Sequence, residues 1–429
     1  MPQEATTAIS IPYGSEQVTF TIPARNLLGV LERNEVQFPP DEEQEIAWAI
    51  DHPVGCGRLA EIIPAGAKIA IISDDISRPT PVYKILPILL NRLHEAGVRD
   101  EQIFIVMALG SHRDMTPEEM EQKVGAEICR RYPVYNSRFR DKAHLADLGI
   151  APGGVHVWAD KQAMAADVRI GIGSIVPHPA VGWSGGGKII YPGITGEDTV
   201  AAFHLQHGKA GWNMFGSEES PVRRNMEAWV DTVGLHFIVN IVGPPDGRIY
   251  KAVAGHYVKA HRAGVRYAKE LYGVEFAERP EIAVVSSHPA DADFWQATKG
   301  ILPGDLLVKD GGTVILVSPC PEGIGPHPEY MEYIGDDDVD GLLKKAETGE
   351  GGLDLVALPV AATVSRIRKR IHLALVSDGI TREEAAKGKF AYFSSLQEAV
   401  TAALGRYGAE AKVGVIPLGA EIVPIWKKE

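Results

Sequence analysis

The chain is short of what would tie it to a membrane or a nucleic acid. Its 43 Lys and Arg are outnumbered by 56 Asp and Glu, a formal charge of -13, so polyanions are not general partners and an anionic substrate must be met by local positive charge. No run of about 18 apolar residues occurs, and the N-terminal MPQEATTAISIPYGSEQ has no basic stretch leading into an apolar one. Neither a membrane span nor a secretory signal is expected. Cysteine is scarce: Cys56, Cys129 and Cys320 lie far apart with no C-x-x-C pair. That argues against a disulfide framework or a thiolate zinc site and fits a reducing cytoplasm. Internal repeats and low-complexity segments are also missing.

What is present is an ordinary globular composition. With 429 residues and 45% hydrophobic content, the chain has material for about two or three domains with their own cores. The 45 glycines and 29 prolines suit a chain of alternating strands and helices joined by elaborate loops. A β-hairpin is expected over 8–22, strand-like chain over 26–36 and a helix over 41–50. The apolar run 67–73 reads as a buried strand delivering Asp74 and Asp75 at its carboxyl end, followed by Arg78 and a helix to about 96. A strand over 102–109 ends in Gly110-Ser111-His112-Arg113, and Thr116, Pro117 and Glu119 form a capping box. Another strand, 167–173, runs into Pro177-His178. Its GIGSIV lacks the third glycine of a dinucleotide fingerprint, which speaks against an NAD site. A strand over 231–242 and a long basic helix over 255–271 come next, the helix serving as a hinge. A second alternation starts at 281, with a strand over 313–318 and a final strand, AEIVPI, that returns to the first domain. Asp75, Arg78 and His112 fall at strand ends, where α/β proteins bind ligands. For Asp75 and Arg78 the plain alternative is a surface salt bridge.

The stretch from Pro177 to His207 holds three histidines, one lysine and the triple glycine Gly185, Gly186, Gly187 directly before Lys188. Such a bend lets something bulky approach the backbone, and the lysine can supply a charge or an amine nucleophile. A phosphate-loop kinase is disfavoured because Ile189 stands where a Ser or Thr is needed, and Ile189-Ile190 before Tyr191-Pro192 favour an extended segment. An incidental lysine on a flexible turn is the plain alternative. Gly196 to about Gln206 reads as helix, with Glu197 and Asp198 in its first turn, and His204 and His207, three apart, share a face. A zinc-dependent hydrolase using that pair is one reading, weakened by the absence of H-E-x-x-H. Gln296 and Lys299, also three apart, can reach one ligand.

Taken in order, Asp75-x-x-Arg78-Pro-Thr-Pro, Gly110-Ser-His112-Arg, Pro177-His178 with Ser184-Gly-Gly-Gly-Lys188, His204, and Gln296-x-x-Lys299 resemble the nickel-dependent lactate racemase family over nearly the whole chain. The resemblance implies an α/β fold of two domains with the active site in the cleft between them. The expected division is 1–275, carrying the cofactor and the acid-base histidines, and 276–429, contributing substrate contacts. It implies nickel held in a pyridinium-3,5-bisthiocarboxylic acid mononucleotide, a nickel pincer nucleotide, joined to Lys188, with His204 as the protein's nickel ligand. The glycines Gly185, Gly186 and Gly187 would let the ring lie against the backbone. His112 and His178 would be the acid-base pair, Arg78 would grip the carboxylate, and Gln296 and Lys299 would hold the substrate oxygens. Asp75 would orient groups near Arg78 and the cofactor. The implied activity is racemisation or epimerisation of a small anionic α-hydroxy acid, lactate or longer, in a protein that depends on cofactor-biosynthesis proteins. Trp183, Trp295 and His207 are candidates for reshaping the pocket. A carrier that only stores the nickel nucleotide is a further alternative, but it has no need of both His112 and His178.

Overall fold

The computed structural model describes residues 5–427 and consists of two compact α/β units. Glu35–Phe203 and Ser217–Leu271 form a unit inserted, in chain order, into a flanking unit made of the chain up to Asn34, His204–Gly216, and Tyr272 onward.

The inserted unit is built on a six-stranded sheet in the order Lys251–Gly255, Phe237–Val242, Val168–Ser174, Ile69–Asp74, Ile103–Ala108, Val134–Asn136. All neighbours are parallel except the first pair. Ile69–Asp74 and Val168–Ser174 are buried almost throughout, as strands covered on both faces must be, which is why their apolar runs do not alternate. The helix Val82–Glu95 lays Val82, Ile85, Leu86, Leu89 and Leu93 on this sheet, an i, i+3, i+4, i+7 stripe. Each such side chain contributes about 1.5–3 kcal/mol by leaving water. Chain order reverses at the strand Ile69–Asp74, with later strands added on both sides. The crevice outside the carboxyl ends there is where such sheets bind ligands.

The flanking unit repeats the plan with a parallel sheet in the order Ala391–Phe393, His372–Val376, Thr313–Val317, Ile282–Ser286, Val413–Ile416, Leu27–Val30. The opening hairpin, Thr6–Tyr13 with Glu16–Pro23, sends Ile9, Ile11, Phe20 and Ile22 into the same core as Ile282, Val284, Ile315 and Val317.

This packing changes the division expected at 275/276. The first 34 residues were assigned to the N-terminal domain, but Leu27–Val30 pairs in parallel with Val413–Ile416, and the hairpin finds its apolar partners in the C-terminal half. The final strand, Val423–Trp426, pairs with Gly273–Phe276, at the expected 275/276 boundary, and both strands belong to the flanking unit. The segment expected as strand over 231–242 is helix to Val233 and strand only from Phe237. Among the described residues, no helix is long and apolar enough to cross a membrane.

Candidate active site

Three adjacent strands of the inserted sheet, Ile103–Ala108, Ile69–Asp74 and Val168–Ser174, end in the motifs singled out above. After Asp74 the chain turns tightly: the Ser77 backbone N–H donates to Asp75 Oδ1 at 2.8 Å and the Arg78 N–H to the Asp75 carbonyl at 3.1 Å. Beneath the turn, buried Lys123 is 2.9 Å from Asp74 Oδ1 and donates to the Arg78 carbonyl at 2.8 Å. The turn is therefore held from inside the protein.

His112 arrives over the neighbouring strand. Gly110 has φ 58°, a left-handed conformation open to glycine, and the chain doubles back so that the His112 N–H meets the Leu109 carbonyl at 3.0 Å. His112 Nδ1 lies 2.6 Å from Asp75 Oδ2. Burial alone would raise the Asp75 carboxyl, which is only 4% exposed. The hydrogen bond and charge of His112, the charge of Arg78 and the bond from Ser77 outweigh burial and hold it well below the usual carboxylate range. A carboxylate beside Nδ1 fixes the proton there and leaves the lone pair on Nε2, in a side chain 34% exposed.

His178, beyond the strand on the other side of Ile69–Asp74, is set the opposite way. Pro177–His178 pairs with Gly182–Trp183 in a two-residue ladder, and the Ala180 N–H donates to His178 Nδ1 at 3.2 Å. With its lone pair taken up at Nδ1, the neutral ring carries its proton on Nε2. The two imidazoles thus offer an acceptor on one side and a donor on the other.

The glycine loop is not the extended segment expected. Gly186–Ile189 forms a 3-10 turn, and Ile189 packs so closely on the strand that a Cβ on Gly171 would lie 2.7 Å from its Cγ2. That accounts for a glycine in the GIGSIV strand without any nucleotide. The loop glycines also have a reason within the protein. A Cβ on Gly186 (φ 60°) would lie 2.9 Å from the Tyr257 carbonyl oxygen, and one on Gly185 (φ 77°) 2.8 Å from Asn240 Oδ1. The space thought to admit a ring is filled on that side by the chain itself. Trp183 is fully buried and belongs to the loop's foundation.

In the flanking unit, Gln296 and Lys299 follow the central strand Ile282–Ser286, on the turns Phe294–Ala297 and Thr298–Gly300. Asp293 caps the first turn through the Gln296 N–H at 2.7 Å. Lys299 Nζ donates to Gln296 Oε1 at 2.6 Å, so the two side chains act from one spot. Trp295 between them packs on His327 and Tyr330 at ring distances of 4.5 and 4.8 Å. His204 and His207 lie on the helix Glu197–Ala210, but they do not make a metal pair. His207 is 1% exposed and its Nε2 sits 3.2 Å from Thr363 Oγ1. Burial first, and the Arg366 charge second, push it down to about 4, so it is a neutral core side chain. Among the described residues no three His, Cys, Asp or Glu side chains come together to hold an ion. The zinc hydrolase reading loses its ligands.

Known proteins decide the family. The lactate racemase N-terminal domain matches residues 13–213 and the lactate racemase C-terminal domain residues 277–424. The chain belongs to the lactate racemase family. It is an isomerase of the racemase type. It is 30% identical to the lactate racemase of Lactiplantibacillus plantarum over 97% of this chain and 99% of that one. It is 29% identical to the enzyme of Thermoanaerobacterium thermosaccharolyticum over 97% and 98%. The structure of the lactate racemase apoprotein from the latter organism superposes with a TM-score of 0.87 at 27% identity, covering 98% of this chain and 100% of that one. A Thermotoga maritima protein shares the fold, with a TM-score of 0.67 at 20% identity over 92% of this chain and 100% of that one.

Sequence reasoning missed the side chains under this racemase's glycine loop. Asn240 and His261 are buried and hydrogen-bonded to it. Neither stood out, because one lies in an apolar strand and the other in a helix read only as basic.

Proposed function

We propose that the chain interconverts the two configurations at C2 of an α-hydroxy acid, lactate or a longer relative, with His112 and His178 moving the hydroxyl proton. One observation carries the reading: two imidazoles, beyond strand ends on either side of the strand that leads to Asp75, have Nδ1 engaged by opposite partners, the Asp75 carboxylate for His112 and the Ala180 N–H for His178.

The residues fit a nickel nucleotide that brings its own donors. Among the described residues no three His, Cys, Asp or Glu side chains come together to hold an ion, and burial raises the thiols of Cys56, Cys129 and Cys320, the last to about 11, so none is a ready thiolate. With sulfurs and a ring carbon brought by the cofactor, one protein imidazole, His204, would complete a donor set suited to Ni(II). Lys188 would anchor the nucleotide. When bound, the group supplies a reversible hydride acceptor.

The rest is the protein's part. His112 accepts the hydroxyl proton at Nε2, and Asp75 stabilises the imidazolium through Nδ1. His178 holds the substrate oxygen from its Nε2–H; to restore the proton there it acts as the imidazolium, with Nδ1 protonated in place of the Ala180 N–H contact, and it is left neutral with a lone pair on Nε2 that accepts the hydroxyl proton in the reverse direction. Arg78 fixes the carboxylate by a flat two-point grip. Gln296 and Lys299 hold the remaining oxygens. For lactate the enantiomers have equal free energy, so kcat/KM must be equal in both directions at every pH. The difference between the two histidines is therefore expressed in kcat and KM taken separately.

The test is label retention. Lactate deuterated at C2 is racemised in ordinary water by enzyme made together with the cofactor-producing proteins, and the product is expected to keep its deuterium. Exchange of that deuterium for solvent hydrogen on each turnover would replace the hydride route with proton abstraction at carbon.

A further inference from the structure

The mechanism above uses no residue of the helix Lys259–Tyr272, yet that helix buries a histidine completely. His261 is 0% exposed. Its Nε2 lies 2.8 Å from the Ser184 carbonyl oxygen and its Nδ1 lies 3.0 Å from Arg262 Nη1. These partners leave one arrangement of protons. A guanidinium has only donors, so Nδ1 must accept, and a carbonyl has only lone pairs, so Nε2 must donate. The ring is neutral and in a single tautomer. Protonation would set an N–H against an N–H, and burial with the charges of Arg223 and Arg262 opposes it too.

The carbonyl so held is the last one before the triple glycine. Upstream, Arg223, also fully buried, donates to the carbonyls of Val181, at 3.0 Å, and Trp183. The Ser184 hydroxyl bridges the Val176 N–H and the Ser174 carbonyl at 2.9 and 2.7 Å, and Asn240 Oδ1 takes the Gly186 N–H at 2.8 Å. Below, Glu227 accepts from Arg223 at 3.1 Å and from both terminal nitrogens of Arg262 at 2.8 and 2.9 Å. Arg262 also reaches Glu219 at 2.9 Å. Gly186 rests on the imidazole itself, since a Cβ there would be 3.0 Å from His261 Cγ. Burying this many charges under one bend is unfavourable compared with apolar packing. What it gives is a loop with one conformation.

We propose that His261 is a positioning residue for Lys188: held in one tautomer by Arg262, it pins the Ser184 carbonyl and so fixes the bend that presents the lysine to the cofactor. The functional consequence rests on Lys188 being the anchor; the clamping of the loop does not.

The experiment compares His261→Leu, which has no donor, with His261→Gln, whose side-chain amide can donate near the Nε2 position. Amide hydrogen exchange is read on protein made without cofactor. His261→Leu is expected to speed exchange of the peptide covering 184–192 by roughly tenfold, one hydrogen bond's worth of local opening, with the strands Ile69–Asp74 and Val168–Ser174 unchanged. His261→Gln is expected to restore most of the protection. In cofactor-loaded enzyme the same order should appear in kcat, with KM for the hydroxy acid unmoved. If His261→Leu does not fold, Arg262→Gln, at a partly exposed site, is read instead and should loosen the same peptide by about threefold. Unchanged loop exchange in a folded variant, or Leu and Gln behaving alike, overturns the proposal. Failure of the anchor reading shows separately, as Lys188→Ala retaining turnover while the loop effects persist.

Discussion

The two six-stranded sheets share a plan and differ in chemistry at their carboxyl ends. In the flanking unit, hydroxyls after the central strands satisfy one another or the backbone, Ser287 Oγ meeting Ser318 Oγ at 2.7 Å and Ser286 Oγ the Pro12 carbonyl at 2.7 Å, and His288 Nδ1 is turned to Asp291 at 2.8 Å. In the inserted unit they carry ionisable groups whose protons are placed by specific partners, as in the 2.6 Å pair of His112 and Asp75. On the proposed reading, one edge holds the substrate and the other changes it. Architecture alone would not have told them apart, because a shared fold leaves function to the side chains grafted on it.

If that contrast is right, the largest losses fall on the inserted unit. His112→Ala or His178→Ala should each lower kcat by about 10²–10⁴-fold, the usual scale for a general acid or base, measured by polarimetry from either enantiomer. Losses of that size from Gln296 or Lys299 would erase the distinction. Asp75→Asn keeps the shape but removes the charge that opposes the imidazolium and frees the ring to change tautomer. It should lower kcat by roughly a hundredfold with circular dichroism unchanged. Retained turnover in this variant would reduce Asp75 to a structural partner of Ser77.

The flanking unit should answer in KM. Gln296→Ala and Lys299→Ala each remove one hydrogen bond to an anionic substrate and should raise KM by about tenfold with kcat little changed. Because Lys299 Nζ is bonded to Gln296 Oε1 at 2.6 Å, the double variant should fall short of the product of the two effects. Full additivity would mean that the two side chains act on separate parts of the substrate.

The central strands of both sheets could be read from the sequence because buried parallel strands are continuous apolar runs, and the capping box at Thr116 holds as expected. The assignment of the opening hairpin failed for a reason no local pattern carries: Leu27 and Val30 choose their sheet by pairing with residues almost four hundred positions away. For the candidate site, residue types at strand ends singled out Asp75, His112 and His178, but the partner of Asp75 did not follow. Its carboxylate serves His112, and only the fold brings residues 37 apart within 2.6 Å. The glycines were noticed for their oddity, but the sequence could not show that the chain itself leaves Gly185 and Gly186 no room for a side chain. A missing side chain looks the same in sequence whether the space belongs to a ligand or to Tyr257 and Asn240. His207 misled in a similar way, because three-residue spacing predicts a shared helix face and says nothing of what covers it.

His207 allows the smallest test, and it turns the contrast from chemistry to stability. A histidine whose native pKa is depressed to about 4 from an ordinary 6.5 refuses a proton that the unfolded chain accepts. The unfolded state therefore binds more protons between those values, so native stability rises with pH through this window and is lost as the solution is acidified from about 6.5 to 4. For a fully buried ring the loss is on the order of 3 kcal/mol. His207→Gln retains a polar partner for Thr363 Oγ1 and removes the titration. The variant should be no more stable than the parent at neutral pH, and the gap should close or reverse as unfolding by urea is measured at pH 4.5. A parent and variant that lose stability in parallel would mean that the buried ring is protonated in the native state, with its charge accommodated despite Arg366. Activity of the two at neutral pH should be alike, since His207 sits in the flanking unit with its Nε2 turned to Thr363. On the proposed mechanism the histidines of the inserted unit exchange protons with the substrate, while this one bears only on whether the protein stays folded.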